Sequence, residues 1–109
     1  MKVYNKLIRD NVPEVIKASG KICKVSVLDQ EEYIQEIRRK IVEEAIELNE
    51  ATSKAEMIEE LADLYELLDY LLIEYKIDLL KVKKRRIQKN MEKGGFDSRL
   101  FLHSVSEKG

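Results

Sequence analysis

The chain has 109 residues, enough for one domain with a real but modest core. Charged residues make up 38% and hydrophobic ones 44%, with one Pro, four Gly and no Trp, a composition that favours helix over sheet. A net charge of −1 does not by itself call for a nucleic-acid surface, a lone Cys23 rules out an intramolecular disulfide, and no apolar run approaches the roughly 18 residues of a membrane span.

With no signal peptide legible, the expectation is a soluble cytoplasmic protein with no nucleic-acid and no membrane partner. In Cys23 a small residue in an alternating apolar run outweighs a reactive thiol. Acids concentrate in residues 43–78 and bases in 81–93.

Residues 1–9, MKVYNKLIR, show no helical period and read as extended or irregular. Asp10 or Asn11 is placed to cap a short helix with Pro13 in its first turn and Gly20 at its end. KICKVSVL alternates Ile22, Val25 and Val27 weakly enough to suggest a short strand, paired with residues 2–5 or with another subunit. Asp29 with Glu32 forms a capping box for a helix running to about Ala51. Thr52, Ser53 and Lys54 break it, and Ser53 with Glu56 starts a second helix to about Tyr75, the most apolar in the chain. Asp78 caps a last helix to about Lys93, closed by Gly94 and Gly95. Phe96, Leu100, Phe101 and Leu102 predict a tail docked early and frayed late. The expectation is thus a single mainly all-α domain over 1–109, an antiparallel bundle of about four helices. Its core spans about 29–93, residues 1–28 form a short helix and an extended segment, and 94–109 form the tail.

Helical geometry decides which acids matter. With Glu44 at zero and about 100° per residue, Ile37 falls near +20°, Leu48 near +40° and Ile41 near +60°, so Glu44 lies inside the apolar stripe. With Glu60 at zero, Leu67 falls near −20°, Leu71 near +20° and Leu64 near +40°, so Glu60 does the same. Glu47 and Asp63 sit about 60° off, on the margins, whereas Glu50, Glu59 and Glu66 read as solvated. Charged helices often carry i,i+3 acid pairs by chance. Two pairs that break two apolar stripes in the same sense are a different matter.

A buried carboxylate is costly unless it is paired or bound to a metal, and two antiparallel helices would bring four acids together. Lys40 alone cannot neutralise them, so a divalent cation is the better reading. The donors are oxygen only, since His103 lies in the tail and no Glu-x-x-His pair exists. Oxygen donors favour Mg²⁺, with Mn²⁺ as a substitute.

Glu43-Glu44-Ala45-Ile46-Glu47, twelve residues, then Glu60-Leu61-Ala62-Asp63 resembles the EExxE…ExxD signature of the all-α nucleoside triphosphate pyrophosphohydrolases. That superfamily includes MazG, phosphoribosyl-ATP pyrophosphohydrolase and the all-α dUTPases. The flanks YNKLIRDNVPEVI and KGGFDSRLFL resemble those of a small single-domain MazG-like subgroup. The resemblance implies cleavage of an NTP between the α- and β-phosphates, with Mg²⁺ held by Glu44, Glu47, Glu60 and Asp63, Glu43 assisting, in a homodimer or homotetramer. The expected catalytic residues are Glu47, Glu44 and Glu43, with Glu47 favoured as general base because it can reach solvent. Lacking a P-loop, the chain would hold phosphates through metal and cationic side chains. Lys89 and Lys93 align with the family's basic pair, although members often carry Arg at the position of Lys93. Lys6, Arg9 and Asn90 are further substrate-contact candidates, and Tyr70 is as readily a pocket wall as an interface aromatic. The competing readings are a non-catalytic helical oligomerisation or interaction module and a nucleotide sensor that keeps the metal site.

Overall fold

The three longer helices each begin where a short polar side chain caps them. In a computed structural model of the chain, describing residues 1–108, Asp29 accepts a hydrogen bond from the Glu32 N–H at 2.8 Å. It heads a helix over Gln30–Glu50. Ser53 accepts from the Glu56 N–H at 3.1 Å and heads Lys54–Tyr75, and Asp78 accepts from the Leu80 N–H at 3.0 Å and heads Leu79–Lys93. A shorter helix, Val12–Ala18, carries Pro in its first turn. Its N-cap, Asn11, makes no side-chain capping bond. In chain order these are α1 (Val12–Ala18), α2 (Gln30–Glu50), α3 (Lys54–Tyr75) and α4 (Leu79–Lys93).

The described residues are therefore all-α, as expected, and none forms a strand. This corrects the strand reading of KICKVSVL: Ile22 and Val27 are fully exposed, and with no neighbouring strand to pair with, alternation alone cannot hold an extended ladder. No helix among the described residues is long and apolar enough to cross a membrane.

The chain divides into two compact units, Met1–Lys76 and a second beginning at Ile77, a division that falls within the stretch expected to form one core. The first unit is built on an α2–α3 hairpin. Arg38, early in α2, donates to the Tyr75 hydroxyl at the end of α3 at 3.4 Å, whereas Glu44 and Glu47 meet Glu60 nearer the connection, so the helices run antiparallel. Ile37 and Leu67 are its buried apolar side chains. The turn of α3 ends on Lys76, in left-handed backbone at φ 53°.

In the second unit, α4 ends as Gly94, at φ 80°, donates to the Asn90 carbonyl at 2.8 Å. The expectation that the tail docks early is corrected: Phe96, Leu100, Phe101 and Leu102 are all exposed. Within this unit Leu80, Ile87 and Met91 are exposed as well, so no apolar surface there covers the tail.

Candidate metal centre

The hairpin places a carboxylate in its own core. Glu44 is only 6% exposed, the one buried charged residue among the described residues, because its position on α2 falls within the stripe that packs on α3. Glu60 is half-buried opposite it, and Glu47 is exposed one turn on. One oxygen from each of Glu44, Glu47 and Glu60 lies within 4.8 Å of the others, a group that could hold a metal ion.

Two features show that this cluster is electrostatically unsatisfied. Oε2 of Glu44 and Oε2 of Glu60 are both buried with no hydrogen-bond partner. The Glu44 carboxyl is also pushed up to about 8, chiefly by burial, then by sharing a proton with Glu60 and by the charges of Glu47 and Asp63. Near neutrality one proton therefore takes part of the place a cation would fill.

Asp63 stands apart from the three. Its Oδ1 accepts from Arg9 Nη2 at 2.7 Å, while Arg9 Nη1 donates to Glu66 Oε2 at 3.0 Å. The guanidinium fork thus spans two carboxylates one helical turn apart and ties the N-terminal segment to α3. The sequence suggested Arg9 as a phosphate contact and Glu66 as a solvated acid; here each is a partner of the other. Asp63 and Glu66 stand three residues apart on α3, but the arginine that matches them lies in an irregular segment far away in sequence.

Glu43 does not join the cluster. It lines a cleft of about 390 Å³ on another side of α2, with Tyr4, Lys6, Arg39, Lys40 and Ile46. Lys6 reaches the Tyr4 ring there, 5.3 Å from its centroid. Lys40 faces the same cleft and makes no ion pair among the described residues, so it does not neutralise Glu44. Lys89, Asn90 and Lys93 lie exposed on α4, in the second unit.

Comparison with protein-family models, with curated proteins and with solved structures gives no match.

Proposed function

We propose that the chain is a Mg²⁺-dependent nucleoside triphosphate pyrophosphohydrolase, converting an NTP and water to an NMP and pyrophosphate, with non-standard nucleotides among its candidate substrates. The observation that carries the reading is the pair of buried, unpartnered carboxylate oxygens on Glu44 and Glu60, with Glu47 beside them. An all-oxygen donor set of this kind suits a hard divalent cation, and Mg²⁺ is the one most often shared with substrate phosphates. The EExxE…ExxD spacing supplies the nucleotide.

Glu44, Glu47 and Glu60 would hold the ion, with Asp63 joining once Arg9 releases it. Bound there, Mg²⁺ supplies charge neutralisation at the phosphates and lowers the pKa of coordinated water. Of the three clustered carboxylates, Glu47 is the one exposed to solvent, and it would accept the proton of the attacking water. Glu44, protonated near neutrality while no cation is bound, is the poorer base. The water oxygen bonds to the α-phosphorus, the α–β bridging bond breaks, and pyrophosphate leaves with the bridging oxygen. Lys89, Lys93, Lys6 and Asn90 are the remaining candidates for holding phosphates, sugar or base.

The test is pyrophosphate release with Mg²⁺ from canonical, deoxy and modified NTPs. Release should vanish in Glu44→Ala and fall by about 10²–10⁴-fold in Glu47→Gln. Orthophosphate as the first product would place the cleavage elsewhere and overturn the reading.

A further inference from the structure

Three acids step outward along α3, from the buried cluster to solvent. Glu60, Asp63 and Glu66 follow one another at intervals of three, and each step turns about 60° further from the α2 contact. Glu60 and Asp63 are half-buried, and Glu66 is exposed. The innermost acid belongs to the group formed with Glu44 and Glu47. The outermost belongs to Arg9, whose Nη1 donates to Glu66 Oε2 at 3.0 Å. Asp63 stands between the two sets and serves both. Its Oδ1 accepts from Arg9 Nη2 at 2.7 Å, while its charge acts on the Glu44 carboxyl.

We propose that Arg9 and the divalent cation compete for Asp63, so that the N-terminal segment is a strap which cation binding loosens. This regulation rests on the metal site of the proposed hydrolase and acts on that same site. Charge sets its direction. Arg9 brings one positive charge to the margin of the acids, and a divalent cation brings two to their centre. Two cations that share one carboxylate repel each other, so each weakens the other's hold on Asp63. Exposure sets its strength. The side chains of Arg9 and Asp63 are 55% and 38% exposed, so water screens their pair and a cation displaces it at small cost. Glu66 makes the exchange reversible. With Asp63 taken, the other arm of the fork still has its partner one turn further along α3, so Arg9 loosens without leaving the helix. By linkage the effect is reciprocal: the cation loosens the strap, and the fastened strap holds the cation's affinity down by the same factor. The coupling reaches beyond the acids, because Tyr4, Asn5, Lys6 and Leu7 of the strap form one wall of the cleft on α2.

The experiment uses the full chain with Mg²⁺ alone and no nucleotide. Isothermal calorimetry should give Arg9→Gln an Mg²⁺ affinity about fivefold tighter than that of the native chain. Mg²⁺ should speed trypsin cleavage after Lys6 in the native chain, relative to an unstructured control peptide, up to the rate of metal-free Arg9→Gln at most. Asp63→Asn should abolish that acceleration, because the shared carboxylate is gone while Glu44, Glu47 and Glu60 still bind the ion. Equal Mg²⁺ affinities in the native and Arg9→Gln chains overturn the strap and leave the metal site standing. Weaker binding in Arg9→Gln also overturns it, since Arg9 would then position Asp63 for the ion rather than compete with it. So does an acceleration that persists in Asp63→Asn. A native chain that binds no Mg²⁺ overturns the strap and the metal site together.

Discussion

Glu44 and Glu60 each bury one oxygen, Oε2, between α2 and α3, and neither oxygen has a donor to receive. Two such groups facing one interior are a cost to the fold unless something positive joins them. That predicts opposite effects from one substitution. Glu44→Gln removes the buried charge, so the metal-free protein should gain about 1–3 kcal/mol at pH 8. The same substitution should abolish the rise in melting temperature that Mg²⁺ gives the native chain. Thermal melts with and without Mg²⁺ check both, and a variant that loses stability and keeps its Mg²⁺ response would exclude the site.

Stability should also depend on pH in a defined sense. Glu44 binds its proton up to about pH 8 in the folded chain, against an ordinary value of 4.5. Between those values the folded state holds a proton that the unfolded state has lost, so stability falls as pH rises, by at most about 1.4 kcal/mol per pH unit. Above about pH 8 this contribution levels off. A bound cation must displace that proton, so the stabilisation by Mg²⁺ should grow across the same window. Urea titrations at several pH values, with and without Mg²⁺, measure both slopes. Identical pH profiles in native and Glu44→Gln chains would contradict the assignment.

The helices and the acids were legible because both follow from local rules. Asp29, Ser53 and Asp78 cap the helices they were expected to cap, and the angular position of Glu44 among Ile37, Ile41 and Leu48 placed it in the core before any coordinates did. What failed was non-local. Alternation at Ile22, Val25 and Val27 carries no information about whether a partner strand exists, and none does among the described residues. The tail's aromatics, Phe96 and Phe101, signal burial, yet both are exposed, because local composition does not say where a covering surface lies. Arg9 offered no clue at all, because its partners, Asp63 and Glu66, lie 54 and 57 residues away.

Arg9 gives the third prediction. Its two ion pairs link the N-terminal segment to α3, and all three side chains are substantially exposed. Exposed pairs of this kind contribute about 0–1 kcal/mol, so Arg9→Gln should barely move the melting temperature. Locally the effect should be larger: trypsin cleavage after Lys6 should accelerate in the variant, and high salt should reproduce it in the native chain. Arg9→Lys should fall between, since an ammonium cannot bridge both acids as the planar fork does. Equal cleavage rates in the native and Arg9→Gln chains would show that the segment is held by something else.

Lys76 gives the last. It closes α3 in the left-handed region at φ 53°, where its N–H donates to the Ile73 carbonyl at 3.1 Å. A side chain there crowds the following carbonyl, a penalty of about 1–2 kcal/mol that glycine avoids. Glycine carries its own cost, roughly 0.5–1 kcal/mol of extra entropy in the unfolded chain. The difference favours the substitution, so Lys76→Gly should raise stability by about 0.5–1 kcal/mol. Lys76→Val, β-branched in the same backbone, should lower it instead. Paired thermal melts decide the matter: if Lys76→Gly destabilises as much as Lys76→Val, then α3 does not end in left-handed backbone at this residue.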